Sequence, residues 1–489
     1  MTTAAVVYPA AVRAIVLAVV AAASCALAAG ATASRPFRTA VDDPFAFATA
    51  SPAPAFARVA AAGAAYVRLH VDWETVAPAG ATKRAGFRAD DPEDPAYRWA
   101  RLDAQVRAAE AAGLQPIVTV SGAPRWARRG RDDGLGPNNP NPVEYGLFAR
   151  ALARRYSGAS SDLPRVRYWQ AWNEPNITSF LLPQFDGGHR PVSPDLYRAL
   201  VNAFSDAVHG AAAGNVVVAG GLSPFSVNYK TVKSVGPMTF MRQLFCLGPG
   251  SNARSTCSTP IRFDVWAHHP YTSGGPFHHA SNPDDVSLGD LPEMRALLNT
   301  ALRAHRIVAP HGLGFWVTEF GWDTNPPDAR GVPLALHARW TAEALYQMWR
   351  SGVTVATWWL LQDQPYPSSP YQSGLYVRAP RGAAPQAKPS LAAFRFPFVA
   401  YRRTSGVYVW GRTPSGAAAT VVLQRRRDKA GGWTNVGSVR ADRFGLFART
   451  VRVPARQTDF FRAKLVGPGG TSLPFALSEP PDRQYRPFG

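Results

Sequence analysis

The sequence predicts a (β/α)8 TIM barrel followed by a small all-β sandwich, and three observations carry that expectation. From about residue 40 to 395, short apolar runs alternate with alanine-rich amphipathic stretches, the pattern of parallel βαβ units. Eight such units in roughly 350 residues suit a closed barrel with insertions better than an open doubly wound sheet. No G-x-G-x-x-G or Walker A motif is present to mark a nucleotide-binding turn. After about Ala400 the helical stretches stop, and strand-like runs follow one another through Gly, Pro and Ser turns.

Taken in order, residues 1–33 read as an export signal. Arg13 precedes the apolar run Ala14–Val20, alanines continue it, and Ala31-Thr32-Ala33 offers an A-x-A cleavage site. Cleavage near Ala33 makes the mature chain secreted or extracytoplasmic. The run falls short of the ~20 strongly apolar residues of a membrane span, and no later segment reaches that, so the mature form is expected to have none. Residues 34–395 form the barrel. Its strands are expected at Phe45–Ala48, Tyr66–Val71, Gln115–Val120, Val166–Ala171, Val216–Ala219, Phe263–Ala267, Phe315–Thr318 and Val353–Trp358. Helices are expected at Ala53–Ala62, Arg101–Ala112, Val143–Tyr156, Pro194–Ala212, Pro292–Ala304 and Pro333–Ser351. Residues 397–489 form an immunoglobulin-like β-sandwich, with strands around Val407–Trp410, Ala419–Leu423, Trp433–Val439, Phe444–Val453 and Asp459–Leu465.

Composition narrows the function classes. With 46% hydrophobic residues the chain can bury a sizeable core, and its 44 prolines and 41 glycines follow no period, which excludes disordered and collagen-like chains. The formal charge is +20, and residues 397–489 carry 16 Lys and Arg against 5 Asp and Glu, so more than half the excess lies there. Such a surface favours an anionic cell-surface polymer, or serves solubility alone. Nucleic acid is not expected, despite Arg425-Arg426-Arg427, because the chain is exported and lacks the aromatic signature of RNA-binding sheets. Of three cysteines, Cys25 leaves with the signal. Cys246 and Cys257 remain as an even pair around a turn-rich segment in an oxidising compartment, and a structural disulfide is expected.

In a barrel of this kind the reactive groups stand at the C-terminal ends of strands. The fourth strand ends Trp172-Asn173-Glu174-Pro175-Asn176, and the seventh ends Thr318-Glu319-Phe320-Gly321-Trp322. Each puts one carboxylate beside tryptophans. Two carboxylates on separate strands can divide the work of cleaving a glycosidic bond between a neutral proton donor and an ionised nucleophile, and tryptophans present flat apolar faces to sugar rings.

These two motifs resemble the clan A glycoside hydrolases, the "4/7" barrels, with families 5 and 39 nearest in character, over about residues 40–395. The resemblance implies an O-glycosyl hydrolase that retains anomeric configuration, with Glu174 as general acid/base and Glu319 as nucleophile, carboxylates about 5–5.5 Å apart. It implies that Asn173 binds the sugar 2-hydroxyl, that Arg68 in Val67-Arg68-Leu69-His70 keeps Glu319 ionised, that His269 lies in the substrate subsite, and that Tyr271 donates to Glu319. Trp358 or Trp359 matches a sugar-stacking tryptophan on the eighth strand, with Trp358 preferred, and Trp322 joins the substrate-binding set. The third strand ends Thr119-Val120-Ser121-Gly122 without the histidine many family 5 members carry, which shifts the resemblance toward family 39 or unclassified relatives.

Other readings compete locally. His268, His269, His278 and His279 lack the company of a zinc motif, so no metal and no organic cofactor is expected. Trp73 and Trp126 suit a pocket wall or the core equally, and Glu74 and Asp323 are rival carboxylates of supporting character. There is no G-x-S-x-G elbow of an esterase. The function expected is therefore an exported, monomeric, retaining hydrolase acting on β-linked oligo- or polysaccharides. The alternative is a non-catalytic carbohydrate- or cell-wall-binding protein on the same barrel.

Overall fold

The computed structural model describes residues 35–130, 134–159, 162–248, 257–380, 383–480 and 485. The expected signal and its cleavage site lie outside the described residues, as does Cys25.

Eight parallel strands close into a barrel. They are β1 (Arg38–Asp42), β2 (Tyr66–Asp72), β3 (Gln115–Ser121), β4 (Tyr168–Ala171), β5 (Val216–Leu222), β6 (Val265–His268), β7 (Gly314–Val317) and β8 (Val355–Trp359). Each pairs with its sequence neighbours, and β1 closes on β8 with Asp42 beside Trp359. The outer layer contains α1 (Ala53–Ala61), α2 (Ala100–Ala111), α3 (Pro142–Arg155), α4 (Ser193–Ala211), α5 (Pro237–Leu244), α6 (Leu291–Arg303), α7 (Leu334–Arg350) and α8 (Pro389–Arg395).

Local chemistry sets these boundaries. Helix α3 begins where the Asn141 side chain accepts from the Val143 N–H and Pro142 needs no donor of its own. Helix α4 buries Tyr197, Leu200, Val201, Phe204 and Val208, a stripe at helical spacing pressed on the sheet. Strand alternation then sorts the barrel into two interiors. Val67, Leu69 and Val71 of β2 face the helices, while Arg68 and His70 face the lumen. The lumen has an apolar lower layer of Ala40, Ile117, Val216, Val218, Val265, Ala267, Trp316 and Val355. The polar residues described below stand above it.

One strand is displaced from its sequence expectation. Phe45–Ala48 is a turn, and the first strand is Arg38–Asp42. The Asp43 carboxylate accepts the backbone N–H groups of Phe45 and Ala46, which bends the chain there. Phe47 then packs on Phe56 of α1 at 4.8 Å. The alternation that suggests a strand comes from a turn with one anchored aromatic.

The C-terminal region comprises two antiparallel sheets forming the sandwich. One holds β9 (Phe398–Arg403), β10 (Gly406–Arg412) and β13 (Leu446–Val451). The other holds β11 (Thr420–Arg426), β12 (Thr434–Arg440), β14 (Phe460–Leu465) and β15 (Phe475–Ala476). Tyr346 and Trp349 of α7 pack against Trp410 of β10 at 5.4 and 5.5 Å. Arg339 of α7 donates to the carbonyls of Ala476 and Ser478. Cys246 and Cys257 are joined by a disulfide with a Cα–Cα distance of 5.2 Å, inside the usual range.

Candidate active site

Arg68 is the hub of the barrel mouth. It is fully buried, so its donors have to be satisfied by protein. Its Nε donates to Thr119 Oγ1 at 2.9 Å and Gln170 Oε1 at 3.2 Å. Nη1 donates to Asp42 Oδ2 at 2.8 Å and Glu319 Oε2 at 3.1 Å, and Nη2 to Asn173 Oδ1 at 2.7 Å. A planar guanidinium suits this fan of acceptors, whereas an ammonium does not. Burial alone would raise the Asp42 carboxyl, but His70 and Arg68 outweigh it and hold the group below its ordinary range. His70 Nε2 lies 2.8 Å from Asp42 Oδ2.

Glu174 follows β4 on a backbone bent twice. Trp172 has φ 69° and Glu174 φ 40°, left-handed conformations that cost non-glycine residues energy and persist only when neighbours fix them. Here the Trp172 N–H donates to Val120 O and the Tyr145 hydroxyl, and the Glu174 N–H to Gly221 O. Asn176 completes the clamp by bonding the backbones of Ser223 and Val235. Glu319 leaves β7 two residues past its end.

The two carboxyls meet in unlike company. Glu319 Oε1 accepts from the Tyr271 hydroxyl at 2.7 Å, and Oε2 accepts from Arg68. Among the described residues no guanidinium hydrogen-bonds Glu174; its Oε1 lies 2.9 Å from His269 Nδ1. Burial pushes the Glu174 carboxyl up to about 7, against the weaker pull of Arg68. Burial raises Glu319 as well, with the Glu174 charge adding to it and Arg68 opposing it. Their side chains remain 14% and 13% exposed, enough for a ligand to touch both. An oxygen of each, together with a ring nitrogen of His269, lies within 4.8 Å of the others. Three such groups can approach a cation, yet the Arg68 guanidinium on Glu319 opposes one there.

His269 is fully buried and pushed by burial down to about 4, so the ring is neutral. Gln170 Nε2 donates to Thr318 Oγ1 at 3.5 Å, leaving the Thr318 hydroxyl proton for His269 Nε2 at 3.1 Å. The remaining ring proton then sits on Nδ1, facing Glu174. Gly221 makes room for this chain: a Cβ there would meet Gln170 Nε2 at 2.5 Å and His269 Nε2 at 3.3 Å, and its φ is +63°. The adjacent His268 points the other way, onto the Val286 carbonyl at 2.8 Å.

Arg68, Asn173, Glu174, His269, Tyr271 and Glu319 are thus brought together. Two tryptophans of the expected substrate-binding set are not. Trp358 is buried in the helix layer against His337 and Phe394, with its Nε1 bonded to Ser373 O. The register decides this: Trp359, not Trp358, pairs with lumen-facing Asp42. Trp359 stands half-buried at the mouth, 6.0 Å from Tyr371 and 6.5 Å from Phe45. Trp322 is also buried, between Phe320 and Trp340, with its Nε1 bonded to Gly274 O.

Of the residues left open by sequence, Trp73 is core, stacked on Phe148, and Trp126 meets its edge. Glu74 pairs with Arg128 at 2.5 Å. Asp323 is held by the Gln372 N–H at 2.7 Å and the Tyr485 hydroxyl at 2.9 Å, while the Tyr485 N–H reaches Ser273 O. Residues at the mouth that sequence reasoning missed are Asp42, His70, Thr119, Gln170, Thr318 and Tyr371, and Trp359 is the alternative it left beside Trp358. Tyr371, on the loop after β8, is raised by burial and then by the charges of Glu319 and Glu174. Parity counted outward from Arg68 would have found His70, and polar residues inside apolar strands would have flagged Thr119 and Gln170.

No family model matches the chain, and no curated protein matches it. Solved structures similar to it include the GH39 enzyme from Xanthomonas axonopodis pv. citri, at 15% identity over 88% of this chain and 95% of that one, TM-score 0.49. A glucosidase from Croceicoccus marinus is similar at 12% identity over 87% and 95%, TM-score 0.45. A GH30 endoxylanase from Clostridium papyrosolvens C71 is similar at 11% over 88% and 96%, TM-score 0.45.

Proposed function

We propose that the chain is an exported glycoside hydrolase of the clan A type, which cleaves β-glycosidic bonds with retention of configuration. One observation carries this reading. Glu174 and Glu319, at the mouths of β4 and β7, bring oxygens within 4.8 Å of each other in unlike company, Glu319 accepting from Arg68 and Tyr271 while Glu174, lifted by burial to about 7, faces His269. That spacing suits double displacement, since an inverting pair stands farther apart to admit a water.

In the first step the Glu319 carboxylate, oriented by hydrogen bonds from Arg68 and Tyr271, attacks the anomeric carbon. Glu174, protonated, gives its proton to the leaving oxygen, and the glycosidic C–O bond breaks. In the second step Glu174, now a carboxylate, takes a proton from water, which attacks the anomeric carbon and releases Glu319. The neutral His269 donates to Glu174 and orients it through both steps. Asn173, fixed by Arg68, is assigned to the sugar 2-hydroxyl, and Trp359 to an apolar sugar face. The two carboxyls supply both roles, so the mechanism calls for neither a metal nor an organic cofactor.

The same reading takes residues 34–395 as the catalytic barrel, 397–489 as a sandwich domain, and the protein as a secreted monomer. The sandwich carries Arg426 and Arg462 against Trp433, a basic surface suited to an anionic cell-surface polymer. A panel of aryl β-glycosides of glucose, xylose, mannose, galactose, arabinose and glucuronic acid tests the activity. Anomeric-proton NMR of the first product should show retention, and a 2-deoxy-2-fluoro glycoside should label Glu319. Inversion, or a label on another residue, refutes the mechanism. Activity unchanged in both Glu174→Gln and Glu319→Gln refutes the enzyme at this site.

A further inference from the structure

A second convergence of side chains lies at the other end of the barrel. Asp264 immediately precedes β6, His209 is near the end of α4, and His311 lies in the loop entering β7. We infer that these three residues form a site for one divalent transition-metal ion, a two-histidine, one-carboxylate clip at the base of the barrel.

The geometry is already that of a ligand set. His209 Nε2 lies 2.9 Å from Asp264 Oδ2, and His311 Nδ1 lies 2.8 Å from Asp264 Oδ1. One ligand atom from each residue falls within 4.8 Å of the other two. Around an ion with bonds of roughly 2.1 Å, ligand atoms at right angles stand about 3.0 Å apart, so the two histidine–carboxylate edges need little adjustment.

The surroundings hold these groups in place. Asp264 is buried, and the Val217 N–H donates to its Oδ2 at 2.8 Å, tying the carboxylate to the start of β5. Ser205 Oγ lies 3.2 Å from His209 Nδ1 and orients the ring from behind, as outer partners of metal-bound histidines do. His209 and His311 are 21% and 36% exposed, so an ion can enter from solvent and water can fill its remaining positions.

Two imidazoles with one carboxylate suit zinc, nickel, copper or cobalt rather than magnesium or calcium. With the ion bound, each ring carries its proton on the nitrogen opposite the ion, where that of His209 faces Ser205 Oγ. The N-terminal face of a barrel bears on stability rather than chemistry, so the ion's effect falls on unfolding and not on turnover.

Full-length protein stripped with a chelator should take up one Zn2+ per chain by calorimetric titration near neutral pH, and its unfolding temperature should rise. Co2+ in its place should show the visible absorption of nitrogen and oxygen coordination. His311→Gln, in an exposed loop, should weaken uptake at least about tenfold. Adding His209→Gln should abolish it, with far-UV circular dichroism unchanged. Glu319→Gln, at the opposite end, should bind Zn2+ as wild type does. Absence of saturable uptake overturns the inference. So does uptake that survives both histidine substitutions, or that disappears in Glu319→Gln and thereby moves the ion to the mouth.

Discussion

Replacing Glu174 with glutamine tests the asymmetry of the two carboxyls while keeping the side chain's shape and its capacity to accept from His269. Burial lifts the Glu174 carboxyl from 4.5 to about 7 in the folded chain, against Arg68. At roughly 1.4 kcal/mol per pH unit, that displacement is worth about 3 kcal/mol between the protonated and ionised limits. A carboxyl raised in the folded state binds its proton more tightly there than in the unfolded chain. Its contribution to stability is therefore complete below 4.5 and is lost as pH rises through about 7. Glutamine does not titrate, so this pH dependence should vanish. Urea denaturation at about pH 5 and about pH 8 should show wild type losing about 2 to 3 kcal/mol relative to Glu174→Gln over the interval. The same group should set the alkaline limb of kcat/KM near 7, and that limb should be missing when the variant is assayed with aryl leaving groups that need no protonation. Parallel stability curves for the two proteins, or a limb that survives the substitution, would refute the assignment of the proton to Glu174.

Three further outcomes follow from the same geometry. Tyr271→Phe removes a 2.7 Å hydrogen bond to a charged acceptor. It should lower kcat/KM roughly ten- to hundredfold, with a nearly unchanged denaturation midpoint. Trp359→Ala should depress kcat/KM on the best aryl glycoside while leaving stability near wild type. Trp358→Ala should instead cost about 3 to 5 kcal/mol in denaturant titrations, because it empties a packed site; the reverse pattern would put the sugar platform on the wrong tryptophan. Replacing Cys246 and Cys257 with serine opens a loop of sequence separation 11. It should cost about 3 kcal/mol of stability by the chain-entropy estimate, and kcat of the folded fraction should not change.

What the sequence made legible depended on whether a residue's role was local. Glu174 and Glu319 could be found because each closes an apolar run and each run ends in a recognisable motif. Arg68 could be found because a cation between valine and leucine has to point at something buried. Asp42 could not: its strand was misplaced onto Phe45–Ala48, where a turn fixed by Asp43 imitates alternation. The Trp358/Trp359 choice failed for a related reason. Two adjacent tryptophans carry no parity of their own, and the parity is set by pairing with β1 across the closure of the barrel, more than three hundred residues away in sequence. Trp322 shows a third limit. An aromatic beside a reactive carboxylate is as well placed to prop the loop as to touch a ligand, and here it props it against Trp340. Helices were the most legible elements, since α1, α3, α4, α6 and α7 carry apolar stripes; α5 went unread although Pro237, Phe240, Met241 and Leu244 recur on its buried face, and α8 has only seven residues.

The seat of Tyr485 on Asp323 and Ser273 places the making of this protein under a constraint of time. The loop that carries Glu319 onward is fastened by a residue 162 positions later in the chain, beyond all strands of the sandwich. At synthesis rates of roughly 5 to 20 residues per second, that fastening waits about 10 to 30 s after Asp323 has been joined. From the joining of Trp359 onward every strand of the barrel exists, but one rim of its mouth stays untied until Tyr485 follows. A nascent chain halted before Tyr485 should expose the 321–330 segment to limited proteolysis, and a chain extended past it should not.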